Sequence, residues 1–206
     1  MKIVIAAGDI LKQEMLDKPN INGAEFTWMD NIETAAFDSD AYFDLNFIAT
    51  PRRIQFLKRL LPKPVFINSV EYTLSETDPS FIRINAWPTF LQRKVCEVCA
   101  GDAQKKNVSR VFDFLGWHYQ FVSDVCGMIS ARIVAMIINE AYYTLEEKVS
   151  TKNEIDIAMK SGTNYPYGPF EWSEKIGLKN IYSLLLALSK TASCYTISGA
   201  LKKEIS

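Results

Sequence analysis

Few side chains in this sequence could do acid–base, nucleophilic or metal chemistry. There is one histidine, His118, the residue type whose ordinary pKa lies nearest neutrality. It stands in Gly116-Trp117-His118-Tyr119, at a turn or the start of a strand, a setting that suits a satisfied or exposed structural imidazole. Four cysteines are present. Cys96 and Cys99 have the CxxC spacing of zinc and redox sites, while Cys126 and Cys194 stand alone. Val95-Cys96-Glu97-Val98-Cys99 alternates as a strand does, however, which would put the two sulfurs on opposite faces. They are expected not to share a metal ion, and no metal site is predicted.

Two kinds of element must position whatever chemistry exists. Through residue 122 the chain alternates short apolar runs with helical stretches, the signature of α/β winding. Lys2 to Ala7, Glu25 to Met29, Phe43 to Ala49, Pro64 to Asn68, Phe81 to Ile84, Val95 to Val98 and Tyr119 to Val122 are expected as strands. Asp9 to Leu16 and Pro51 to Leu61 are expected as helices. After Asp124 the period changes to 3.6. Met128 to Glu147 carries Ile129, Ile133, Met136, Ile137, Ala141 and Leu145 at helical spacing. Thr151-Lys152-Asn153-Glu154 is a capping-box spacing that opens a second helix ending at Gly162. Tyr165 to Phe170 is expected as a loop rich in proline and glycine, braced by Tyr165, Tyr167 and Trp172, and Leu178 to Ser189 as a third helix. The expected fold is α/β followed by all-α, with domains over residues 1–123 and 124–206.

Composition narrows the function. With 206 residues, 48% apolar and 23% charged, the chain has the composition of a globular protein. A net charge of -1 and the absence of long basic runs argue against nucleic acid as a partner. The first residues, Met1 to Gly8, are too short an apolar run for a secretory signal. No later run approaches the roughly 18 apolar residues of a membrane span. A cytoplasmic protein with reduced thiols and no membrane partner is expected.

The helical half carries a resemblance. Asp124-Val125-Cys126-Gly127-Met128-Ile129 with Arg132, Ile138-Asn139-Glu140-Ala141, Ile155-Asp156 with Ala158-Met159, Gly162, and Pro166-x-Gly168-Pro169-Phe170 leading to Ile176-Gly177-Leu178 resemble, in order and spacing, the C-terminal domain of 3-hydroxyacyl-CoA dehydrogenases. The likeness runs back through Phe81-Ile82-Arg83-Ile84-Asn85-Ala86-Trp87-Pro88 to Glu97-Val98 and Gly101, where the family carries a His-Phe-Phe-Asn-Pro segment and a Val-Glu-Val strand. Nearer the N-terminus only the order of elements is similar. The resemblance implies a reduced Rossmann-like N-terminal domain and a helical C-terminal domain that pairs two subunits. It also implies NAD as cofactor, an acyl-CoA-type ligand, and oxidation of 3-hydroxyacyl-CoA to 3-oxoacyl-CoA in fatty-acid metabolism.

That reaction needs a dinucleotide cradle, a base and donors to the substrate oxygen. The family's GxGxxG turn falls on Ala6-Ala7-Gly8-Asp9-Ile10-Leu11, where only the middle glycine, Gly8, remains and Asp9 adds a negative charge. Asp30 lies about 20 residues on, where a ribose-binding acid belongs. The family's histidine falls on Asn85, whose amide cannot serve as a general base; the glutamate that orients it falls on Glu97. The family's serine and asparagine contacts fall on Val70 and Ala131, neither with a polar side-chain atom. Ser69 stands next to Val70, but a one-residue strand shift would reverse its direction. The dozen or so residues from Asp30 to the Phe43 strand leave no room for the family's additional strand and helical hairpin over CoA. A catalytically degenerate relative is therefore expected, the alternatives being an active NAD-dependent enzyme, a non-catalytic acyl-CoA or nucleotide binder, or a dimeric structural module.

Overall fold

Lys2-Ile3-Val4-Ile5-Ala6 has no polar residue after its lysine, the pattern of a strand covered on both faces. In the structure, a computed structural model that describes residues 1–205, this run is β1 (Lys2–Ala6) of a seven-stranded sheet. The others are β2 (Glu25–Met29), β3 (Ala41–Asp44), β4 (Val65–Asn68), β5 (Ile82–Ile84), β6 (Val95–Ala100) and β7 (His118–Phe121). Their order is β2-β1-β3-β4-β5-β6-β7, parallel everywhere except between β5 and β6. The winding changes direction at β1, so the carboxyl ends of β1 and β3 flank the crevice where open α/β sheets bind ligands.

Helices α1 (Asp9–Leu16) and α3 (Asp102–Leu115) cover one face, through Leu11, Met15, Val108 and Phe112. Helix α2 (Pro51–Lys58) covers the other through Leu57. The core under α3 is aromatic: Phe43 and Phe66 stack at 4.3 Å, and Phe112 lies 5.3 Å from Phe66 and 5.2 Å from Trp117. The sulfurs of Cys96 and Cys99 do lie on opposite faces of the sheet, Cys96 buried on the α3 face and Cys99 on the α2 face.

Several boundaries differ from the sequence expectation. The third strand spans Ala41–Asp44 rather than Phe43 to Ala49: beyond Asp44 the polar side chains of Asn46 and Thr50 bond to turn and helix-start amides, and Ile48 is 68% exposed. Helix α2 stops at Lys58, short of Leu61, because Pro62 disfavours a helical residue before it. Helix α3 was not expected, although Val108, Val111, Phe112 and Leu115 are spaced for one buried face and Gly116, at φ 76°, supplies a left-handed stop. Residues 30–40 contain one 3-10 turn, Ile32–Thr34, and no strand, as the length of that segment implies.

The chain divides into two compact units, Met1–Met128 and the residues from Ile129 on. Residues 124–128 pack with the sheet, because Asp124 pairs with Arg83, Gly127 N–H donates to the Val70 carbonyl at 2.8 Å, and Met128 is buried beside β4 residues. The second unit comprises α4 (Ser130–Glu146), α5 (Lys152–Thr163), α6 (Pro169–Ile176), α7 (Leu178–Ser189) and α8 (Gly199–Ile205). Helix α4 buries Ala131, Val134, Ala135, Ile138, Ala141 and Tyr142, a stripe of period 3.6. Thr151 and Glu154 form the expected capping box of α5, which ends at Thr163 with Asn164 left-handed, one residue beyond Gly162. Half of the expected proline-glycine loop is helix instead: Pro169 occupies the first turn of α6, where its missing N–H costs nothing. Tyr165 and Tyr167 do brace that segment, with ring centroids 5.4 and 6.2 Å from Trp172.

Candidate functional site at the carboxyl edge of the sheet

Parallel winding places Gly8, Asp30, Asn46, Val70 and Asn85 just past the ends of β1 to β5, all on one edge of the sheet. Glu97 joins them because β6 runs the opposite way and pairs Ile84 with Val98. Five residues singled out in the sequence, Gly8, Asp30, Val70, Asn85 and Glu97, are thus gathered along a common edge. The sixth, Ala131, lies in α4 of the second unit, fully buried.

At the turn after β1, Gly8 precedes α1 with φ -75° and ψ 169°, ordinary extended values. Its N–H donates to Asn46 Oδ1 at 3.0 Å, and Asn46 Nδ2 donates to the Asp30 carbonyl at 3.3 Å. A cleft of about 480 Å³ beside this bridge is lined by Asp30, Asn31, Glu33, Asn46, Thr50 and Arg53, among others. Arg53 is committed inward, its Nε and Nη2 donating to the Asp44 carboxylate at 2.7 and 3.0 Å. Burial pushes the Asp44 carboxyl up to about 6, against the opposing pull of Arg53 and of the Asn46 amide.

Residues suited to NAD are therefore few. Asp30 is exposed at the expected ribose position, but the Gly8 amide already holds an acceptor. Of the two guanidiniums lining the cleft, Arg53 holds the Asp44 carboxylate and the exposed Arg52 pairs with Glu33, and Leu11 at the third glycine position is packed in the core. The pyrophosphate half of the cofactor does not fit this turn as it stands.

At the position where the resemblance puts the base, Asn85 is 3% exposed and is paired twice with Glu97. Its backbone N–H donates to the Glu97 carbonyl at 3.2 Å, and its side-chain Nδ2 donates to Glu97 Oε2 at the same distance. Asn68 fixes the neighbouring strand ends, donating to the carbonyls of Leu45 and Ala86 and accepting from the Ala86 amide at 3.0 Å. Val70 offers only its carbonyl, which accepts from Gly127 and from Arg83. Ser69 is no replacement, because its hydroxyl donates to the Tyr72 carbonyl at 2.9 Å within the turn. Trp87 and Phe90 pack edge to face and are buried, so they serve the core. His118 is exposed at the start of edge strand β7.

Three features escaped the sequence reading. Arg83, fully buried on β5, pairs with Asp124 and donates to the Ser69 and Val70 carbonyls, pinning the loop after β4 to the segment after β7. Asp44 with Arg53 is the second. The signal for both was a charge inside an apolar run, since a buried charge must find a partner. The third is Glu71, half-buried next to Val70, whose carboxyl burial alone raises to about 7; nothing in the sequence marks it. Burial also raises the Cys99 thiol to about 11, so it is a protonated core group. Among the described residues no cluster suited to a metal ion occurs, and no helix is long and apolar enough to cross a membrane.

This architecture, a mostly parallel sheet with a crevice at its winding reversal followed by a helical unit, is that of two-domain dinucleotide-fold dehydrogenases. Comparison with known proteins gives a likeness confined largely to the helical part. Residues 127–201 match the model of the 3-hydroxyacyl-CoA dehydrogenase C-terminal domain. Over 64 residues the chain is 47% identical to 3-hydroxyadipyl-CoA dehydrogenase of Escherichia coli, covering 31% of this chain and 14% of that protein. Over 87 residues it is 38% identical to 3-hydroxybutyryl-CoA dehydrogenase of Bradyrhizobium diazoefficiens, covering 42% and 28%. The matched segments thus span less than a third of these relatives' length. The fold agrees more widely: the crystal structure of (S)-3-hydroxybutyryl-CoA dehydrogenase from Ralstonia eutropha superposes with a TM-score of 0.70 at 19% identity, over 88% of this chain and 69% of that one. Residues 127–201 thus carry the likeness to the C-terminal domain of 3-hydroxyacyl-CoA dehydrogenases, and the rest of the chain shares their fold.

Proposed function

We propose that this protein is a catalytically degenerate 3-hydroxyacyl-CoA dehydrogenase, one that keeps the family's architecture but not efficient NAD-dependent oxidation of 3-hydroxyacyl-CoA. The observation that carries this is the pairing of Asn85 with Glu97 at 3.2 Å. A carboxylate oriented toward the base position meets a carboxamide, which takes up no proton near neutral pH. Val70 and Ala131 at the family's serine and asparagine positions add no donor for a substrate oxygen. Loss of a general base costs roughly 10²- to 10⁴-fold, and loss of preorganised donors a comparable but non-additive factor.

The test is oxidation of NADH with acetoacetyl-CoA by the purified chain. Turnover within about tenfold of ordinary enzyme rates would overturn the proposal. A melting-temperature panel with NAD, NADH, acetyl-CoA and acetoacetyl-CoA separates the remaining roles, because a ligand that prefers the native state raises that temperature. A shift with the CoA esters and without turnover is expected for an acyl-CoA binder. A cytoplasmic location belongs to the same reading, supported by four free cysteines.

A second role has its own support. On the second unit Ile133 and Ile157 are 55% and 52% exposed, and Leu186 is 43% exposed, apolar surface that a homodimer through the helical domain would cover.

A further inference from the structure

We propose that Asn46 is a built-in plug of the nucleotide turn, and that it is the residue that decides against dinucleotides in this chain. The inference rests on assigning the turn after β1 by family resemblance, and it goes further by naming what occupies the site. In a dinucleotide cradle the glycine amide at the start of the first helix faces a phosphate oxygen. Here the Gly8 N–H already has an acceptor oxygen, Asn46 Oδ1 at 3.0 Å. The other end of the same carboxamide donates to the Asp30 carbonyl at 3.3 Å. One side chain therefore ties the carboxyl end of β3 to those of β1 and β2, across the crevice between them.

The plug is held from behind. The backbone amide of Asn46 bonds to the buried Asp44 carboxylate, and that carboxylate is gripped by Arg53 through two hydrogen bonds of 2.7 and 3.0 Å. Arg53 also donates to Asn31 Oδ1 and lies near Glu33. A guanidinium at the rim of the crevice, which would otherwise attract phosphate, is thereby spent on carboxylates of the protein. Steric crowding at the glycine is not the obstacle: a Cβ on Gly8 would meet Asn46 Oδ1 only at 4.0 Å. The obstacle is that the donor is already satisfied, and that a ligand must break an internal hydrogen bond to reach it.

The measurement is titration of the 206-residue chain with ADP-ribose and with NADH, followed by melting temperature and NADH fluorescence. Three variants are compared with the unaltered protein. The unaltered chain is expected to bind either ligand more weakly than about 1 mM. Asn46→Ala removes the internal acceptor and should tighten binding roughly fivefold to tenfold, the equivalent of one neutral hydrogen bond. Asn46→Ser, whose side chain is too short to span Gly8 and Asp30, should tighten it in the same direction and serves if the alanine variant folds poorly. Asn46→Asp keeps the acceptor and adds a charge, so it should bind no better than the unaltered chain. Micromolar NADH binding by the unaltered chain would overturn the plug, as would folded Ala and Ser variants with no gain. Both results are independent of turnover with acetoacetyl-CoA, which tests the loss of catalysis at Asn85.

Discussion

Asp44 shows how far a single residue can be read from its neighbours. It sits in an apolar strand with no exposed surface, held by a guanidinium that is itself 11% exposed. Replacing Arg53 by methionine would leave that carboxylate buried without its cation, and a cost of about 3–5 kcal/mol in chemical denaturation is expected. A second prediction concerns pH. Burial raises Asp44 from 3.8 to about 6 and Glu71 from 4.5 to about 7. A carboxyl whose folded-state pKa is raised binds its proton more tightly when folded. Its stabilising contribution is therefore complete below the unfolded pKa and is lost as pH rises through the folded one. For this pair the loss falls between about pH 4 and 7. Melting curves across that range should show a decline that Glu71→Gln makes shallower; an unchanged slope in that variant would count against the assignment. Of these groups the sequence marks Asp44 and Arg83, as charges inside apolar runs. It gives no sign of Glu71, whose burial comes from packing remote in sequence.

At the scale of elements, helix starts depend on partners supplied from elsewhere. The first amides of α6 are capped by Asp156 of α5: Phe170 N–H donates to Oδ1 at 2.8 Å and Glu171 N–H to Oδ2 at 3.1 Å. Asp156→Ala should cost about 1–2 kcal/mol, the range of a lost N-cap, measured by urea unfolding. Gly168→Ala should cost at least as much, because its Cβ would fall 2.3 Å from the same carboxylate, which would have to leave its amides. On the sheet, Phe66→Ala removes the central ring of the Phe43–Phe66–Phe112 stack and should cost about 3–5 kcal/mol. All seven strands could be read from alternation and apolar runs. The end of β3 could not, because Phe47 and Ile48 continue an apolar pattern that the polar contacts of Asn46 and Thr50 override. Helix α3 was readable from Val108, Val111, Phe112 and Leu115 but lies between two short strands, where a winding pattern is easily taken for a connection. In the same way α6 hides behind a Pro-Gly cluster that marks turns in general and helix starts in particular cases.

At the scale of the whole molecule, the helical unit is expected to pair two copies of the chain, and light scattering after size exclusion at micromolar concentration checks this. Ile133→Glu places a charge on exposed α4 surface and should shift the population toward monomer with little change in melting temperature. A monomer in the unaltered protein would rule the pairing out. The sequence by itself determined the likeness of the helical part to a known domain, the two kinds of architecture and the side chains at the positions that likeness singles out, because these depend on periodicity, motif order and chemical type, all local properties. Only the tertiary structure decided that Asn46 bridges Gly8 and Asp30, that Arg53 is spent on Asp44, and that Asn85 and Glu97 meet. Those contacts join residues from different strands, and it is the strand order and register, set by packing of the entire sheet, that bring them within hydrogen-bonding distance.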